Sequence, residues 1–93
     1  MKYSIRPGIV RRDVAGETML FAVGEALEVC TDMEQLNDGA AYYWALIEQG
    51  MDEEQMLIRA SEETGEPVED LRPGLKAFLK ELQERGYVWP SES

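Results

Sequence analysis

The sequence predicts an α+β fold in which a three-stranded antiparallel sheet is followed by three helices. Three observations carry this. Apolar residues recur with period two in the first third of the chain and with helical spacing afterwards. Asn37-Asp38 and Asp52 stand where helix caps belong, and Gly50, Gly65 and Gly86 stand where helices stop. The 93 residues make one small domain, 1–93, without linker, repeat or low-complexity stretch.

Residues 3–31 read as strands. Pro7 cannot donate to a ladder, which confines it to an edge or a strand start. Ile9-Val10-Arg11-Arg12 leads into a turn signal at Ala15-Gly16-Glu17. Thr18-Met19-Leu20-Phe21-Ala22-Val23 follows, with Met19, Phe21 and Val23 on one face. Gly24-Glu25 suits a two-residue hairpin turn with glycine first. Ala26-Leu27-Glu28-Val29-Cys30-Thr31 is then the third strand, with Leu27 and Val29 sharing a face.

The first helix starts at Asn37 or Asp38, either of which can cap the free amides of the first turn. Leu36, Ala40, Trp44 and Ile47 form its apolar stripe, Tyr43 lies one position off it, and Gly50 ends it as a left-handed cap. Asp52 opens the second helix. Gln55 three residues later completes a capping box, and Met51 and Met56 stand where a hydrophobic staple joins. Met56, Leu57 and Ala60 are its buried stripe, and Gly65 closes it. The third helix begins between Val68 and Pro73. Proline is tolerated in a first turn, so Asp70 is the expected cap. Leu71, Leu75, Phe78 and Leu82 form its core stripe, while Leu79, Arg72, Lys76 and Lys80 lie to one side. Gly86 ends the helix, Tyr87-Val88-Trp89 returns as a short wing, and a frayed tail begins near Pro90. Strands then helices in this order suggest a winged helix-turn-helix arrangement.

The charge is unevenly spread. The net charge is −10, yet residues 1–12 carry +4, residues 13–70 carry −15 with Arg59 their only cation, and residues 71–93 carry +1. The chain has no histidine and one cysteine, Cys30. That inventory supplies no zinc-type ligand set and no Ser-His or Cys-His nucleophile. Most acids sit at helix starts, where they complement the helix dipole, and no carboxylate pair stands out. The expectation is a protein that is not an enzyme and uses no cofactor. No apolar run approaches the ~20 residues that span a bilayer, and the first residues lack an apolar signal core. With a lone cysteine, this points to the cytoplasm and away from a membrane.

The stretches Leu36-Asn37, Trp44 with Ile47, and Phe78-Leu79…Leu82…Gly86-Tyr87-Val88 occur in an order that resembles the PqqD-like family over roughly residues 5–88. Members of that family are peptide recognition elements of modified-peptide pathways. The resemblance implies a non-catalytic domain that binds the leader of a ribosomally made precursor peptide. It implies presentation of that peptide to a modifying enzyme, often a radical S-adenosylmethionine protein. It also implies that the leader adds as a strand beside the third strand, in a groove walled by the third helix. By position, that assigns Leu27, Glu28, Val29, Cys30 and Thr31 from the strand and Arg72, Leu75, Lys76 and Leu79 from the helix. Apart from the resemblance, the charge of Arg72 and Lys76 suggests that they hold acidic side chains of the leader. One departure is Asp38-Gly39, where a serine, threonine or better helix former is common. Glycine there weakens helix entry by up to ~1 kcal/mol.

Two rivals share these features. A general protein–protein adaptor differs only in its ligand. A winged-helix DNA-binding regulator needs cations for phosphate, yet the second helix sets Arg59 against Asp52, Glu53, Glu54, Glu62 and Glu63. Nucleic acid is therefore not the expected partner. A monomer or a homodimer paired through edge strands fits equally.

Overall fold

The computed structural model describes residues 2–30 and 33–91. The expected α+β architecture is present. A three-stranded antiparallel sheet holds β2 (Ile9–Val14), β3 (Glu17–Ala22) and β4 (Glu34–Leu36) in the order β2-β3-β4. Three helices follow: α1 (Asp38–Glu48), α2 (Glu53–Thr64) and α3 (Val68–Glu84). A second, two-stranded sheet was not foreseen. It pairs β1 (Lys2–Ile5) with β5 (Val88–Ser91) from Lys2↔Ser91 to Ile5↔Val88. The returning segment after Gly86 is thus a strand, and it runs through Pro90 rather than fraying there.

The β2–β3 hairpin turns at Ala15-Gly16. Both residues have positive φ, +53° and +83°, as the tight turn that matches strand twist requires. Pro7 lies in the turn between β1 and β2, clear of either ladder. The period-two reading holds within β3, and the face opposite Met19 and Phe21 is the one turned to the core. Leu20 is fully buried, Met19 and Phe21 are half-buried, and Val23 is exposed.

The largest correction is the third strand. Residues 26–30 do not extend, and Thr31 lies outside the described residues. Gly24, at φ +63°, opens a 3₁₀ segment, Gly24–Glu28, where a hairpin turn was expected. The Cys30 amide then donates to the Ala26 carbonyl at 2.8 Å. Ala26 and Cys30 are buried four residues apart, a helical spacing, whereas Leu27 and Val29 point outward. Ala26 packs on Gly8, where a Cβ would come within 2.9 Å of the Ala26 Cβ. The third strand of the sheet is β4 instead, in register Thr18↔Leu36 to Leu20↔Glu34.

The helices follow their caps. Asn37 Oδ1 accepts from the Ala40 amide at 2.8 Å, and Gly50 leaves α1 at φ +84°. Both arms of the Asp52–Gln55 capping box form, at 2.8 and 2.9 Å. α3 differs from expectation: it starts at Val68, Pro67 takes the cap position without a side-chain bond, and Asp70 lies inside the first turn. Pro73 therefore sits one and a half turns into the helix. Its missing amide falls on the exposed Glu69–Pro73–Gly74 side, where water can satisfy the freed carbonyl. The core is shared by all layers: Leu20, Leu36, Trp44, Leu46, Ile47, Met56, Leu57, Leu75, Leu79, Leu82, Tyr87 and Val88.

Candidate functional site

β4 is at an edge of its sheet: β3 pairs one side, and no described strand pairs the other. Unpaired amides and carbonyls along such an edge form a template for an incoming strand. The segment leading into β4 carries unusual apolar exposure. Val23, Leu27, Val29 and Met33 are 51, 51, 53 and 61% exposed. Single exposed apolar residues are ordinary, but four within eleven positions, next to an open edge, suit a binding strip.

The C-terminal end of α3 closes on this strip. The Cys30 thiol donates to the Arg85 carbonyl at 3.4 Å. Gly86, at φ +82°, lets the chain turn there, and a Cβ on it would meet Val29 Cγ1 at 3.0 Å. Arg85 spans from the helix to the strand by an ion pair with Glu34, and also pairs with Glu81 at 3.1 Å. Ala77, Lys80, Glu81, Glu84 and Arg85 line a shallow hollow of about 410 Å³ on the outer side of α3. A second hollow of about 260 Å³ lies against Arg6, Glu25, Glu28 and Val29. Arg6 anchors that end: its Nε donates to the Gly86 carbonyl at 2.5 Å and its guanidinium stacks 5.5 Å above the Trp89 ring.

Only part of the sequence-based site assembles here. Leu27, Glu28 and Val29 are exposed, but on the 3₁₀ segment and its exit rather than a strand. Cys30 is buried with its thiol committed to Arg85. Leu75 and Leu79, at 0 and 1% exposure, are core and have no surface to offer a ligand. Packing against the sheet and the other helices centres the covered face of α3 on Leu75, Leu79 and Leu82, leaving Leu71 and Phe78 half-buried at its margins. Arg72 and Lys76 face α2. Arg72 pairs with Glu54 at 2.5 Å and Glu69 at 3.2 Å, and Lys76 with Glu53 at 3.2 Å. The hydrogen bond from Arg72 holds the Glu54 carboxyl below its ordinary range, and the carboxylates push the guanidinium further up. Both cations are thus engaged in joining two helices.

Sequence reasoning missed Met33, Glu34, Arg85 and Gly86. β4 is three residues long and begins Glu-Gln, too short and polar to show alternation. Gly86 carries a signal, but only for the end of a helix. Among the described residues, no group of three or more His, Cys, Asp or Glu could hold a metal ion, and no helix is long and apolar enough to cross a membrane.

No curated protein matches the chain. A solved structure described as "TbiB1 in Complex with the TbiA(beta) Leader Peptide" is similar over the full length of both chains, with a TM-score of 0.78 at 18% identity. At that identity the likeness is one of fold. The sequence profile of the family described as "Coenzyme PQQ synthesis protein D (PqqD)" matches residues 17–88, from the start of β3 into β5. That span takes in β4, the apolar strip and all three helices, and by it the chain belongs to the PqqD family.

Proposed function

We propose that this chain is a non-catalytic peptide-binding protein. It holds the leader of a ribosomally synthesised precursor peptide as an added β-strand and presents it to a modifying enzyme, such as a radical S-adenosylmethionine protein. The observation that carries this reading is the open edge of β4, preceded by the exposed apolar side chains of Val23, Leu27, Val29 and Met33 and tied to the end of α3 by the Arg85–Glu34 pair. Membership of the PqqD family supports it, as does the fold shared with a protein solved with a leader peptide bound.

The physics of strand addition fits the site. Main-chain hydrogen bonds along β4 supply affinity without sequence preference, and alternate side chains of the peptide select for pockets. Val29 and Met33 offer apolar contact on the strand side. Arg85, paired with Glu81 and with Glu34 of β4, offers charge on the helix side. The Arg85–Glu34 pair crosses between these walls, so an entering peptide must lie beneath it or exchange partners with it. Both groups are partly exposed, and surface pairs of this kind are worth ~0–1 kcal/mol, so exchange is cheap.

An amide-resolved NMR titration with the N-terminal half of a short peptide encoded beside this chain tests the proposal. Saturable shifts along Glu34–Leu36 and residues 78–86 are expected. A folded sample whose β4 amides stay still with every neighbouring peptide would refute it.

A further inference from the structure

A different face of the molecule carries an unassigned cavity. It holds about 470 Å³ between the start of α1, the end of α2 and the start of α3. Gly39, Tyr42, Tyr43, Ala60 and Leu71 make its lining largely apolar, and Asp38 and Glu63 stand at it as acids. The size falls in the ~300–1,000 Å³ range typical of ligand pockets. Gly39, the poor helix former in the first turn of α1, takes part in this lining. A Cβ there would meet only Asn37 Oδ1, at 3.6 Å, so the glycine is not required by crowding within the fold.

Acids outnumber cations around this cavity, where Arg59 is the one cation whose charge reaches its Tyr42. At the other end of α2, Glu53 and Glu54 are matched by Lys76 and Arg72 of α3. Asp38, Glu62, Glu63 and Glu66 take part in none of the ion pairs formed by the described residues. Glu62 and Glu63 lie in the last turn of α2, which holds no basic residue, so they also oppose the helix dipole. Burial raises the pKa values of the Tyr42 and Tyr43 hydroxyls; Glu63 adds to the rise at Tyr42, where the Arg59 charge opposes it, and Glu66 adds to it at Tyr43. The Tyr42 hydroxyl is buried without a hydrogen-bond partner. The cation of α2, Arg59, lines a neighbouring hollow with Met51, Gln55, the half-exposed Ile58 and Glu62.

We infer that this cavity is a docking site for a basic segment of a partner protein, an aromatic or aliphatic side chain flanked by lysines or arginines. Charge complementarity selects the occupant: the apolar lining takes the central side chain, and the four acids at and around the mouth take the flanking cations. An acidic or neutral segment would leave them unmatched. Leu71 and Arg85 are fourteen residues apart along α3, about 21 Å at helical rise, so the cavity and the β4 groove can be filled together. That this partner is the modifying enzyme rests on the leader-binding reading; that a basic segment docks here does not.

The test uses the full chain and a capped Lys-Lys-Phe-Lys-Lys peptide, with Glu-Glu-Phe-Glu-Glu as control, read by amide NMR. Saturable shifts at Gly39, Thr64 and Leu71 are expected with the basic peptide alone, weakening as salt rises. The double variant Glu62→Lys with Glu63→Lys should lose about tenfold or more in affinity, since each reversal turns an attraction into a repulsion. Lysines at the end of α2 favour its dipole, so the variant should melt no lower than the parent. Equal shifts with the acidic peptide, no shifts with the basic one, or undiminished binding in the variant would overturn the inference. Leader titration of the same samples separates the two claims. Basic-peptide shifts without leader shifts would support this site and overturn the leader reading alone.

Discussion

Leu79 separates two accounts of α3, because one places it in the peptide groove and the other in the core. At 1% exposure its side chain is removed from water as fully as Leu75. Burying a leucine side chain is worth about 1.5–3 kcal/mol, and truncation leaves a cavity that relaxes only in part. Leu79→Ala should therefore cost about 3 kcal/mol, within the ~2–5 kcal/mol seen for such changes. A chain of this size is stable by roughly 5–14 kcal/mol, so the loss is a large fraction of the whole. In urea, with a slope of about 1–1.5 kcal/mol/M, the midpoint should fall by roughly 2–3 M at unchanged slope. Val29→Ala is the comparison: Val29 is 53% exposed, and its truncation should cost less than about 0.5 kcal/mol while weakening leader binding. A Leu79→Ala protein that unfolds within about 1 kcal/mol of the parent, yet no longer binds leader, would refute the burial reasoning and return Leu79 to the groove.

Three further outcomes follow from local geometry. Gly8→Ala should cost about 2–5 kcal/mol by thermal unfolding, because φ is +95° and the new Cβ would lie 2.5 Å from the Val23 carbonyl. Gly65→Ala, at φ +78° in open space, should cost only about 1 kcal/mol. Asp52→Ala removes the side-chain arm of the α2 capping box, leaves the backbone amide at 52 able to donate to Gln55 Oε1, and should lower stability by about 1 kcal/mol, with hydrogen exchange rising first at Gln55. The Arg72–Glu54 pair has a pH signature. Glu54 titrates below its ordinary value of 4.5 when folded, so the unfolded chain takes the proton more readily. The stability it contributes is present above about pH 4.5 and is lost as pH falls through the lower folded value. Urea midpoints of parent and Arg72→Gln should differ near pH 7 and draw together as pH falls below the ordinary carboxylate value; a gap that does not narrow in acid would place the effect of Arg72 elsewhere.

The helices were legible because their signals are local. Asn37, the Asp52–Gln55 box, Gly50 and Gly65 all act where the sequence places them. The fold class was legible for the same reason, since three helical stretches after a hairpin leave few alternatives. What failed depended on distant partners. Leu27 and Val29 alternate like a strand, yet Ala26 is drawn in by Gly8, and the segment coils. The face of β3 turned on which side the helices cover, which no period-two pattern encodes. The start of α3 was misplaced because Pro73 was held to the first turn, whereas solvent on that side makes an interior proline tolerable, and its covered face was offset because packing, not the pattern, decides between Leu79 and Phe78. The groove was the least legible part. Its strand is three residues long, and the cations chosen for it, Arg72 and Lys76, are engaged by acids eighteen and twenty-three positions earlier.

The β1–β5 pair has a consequence for how the molecule is assembled. It joins residues 2 and 91, the longest separation any strand pairing here spans. Closing such a loop costs entropy that grows with the logarithm of its length, so the pairing gains most once the intervening chain is already compact. During synthesis β1 emerges well before its partner β5. Tyr87 and Val88 join the core beside Tyr3 and Ile5 where β5 meets β1, so this long-range clasp also completes the interior.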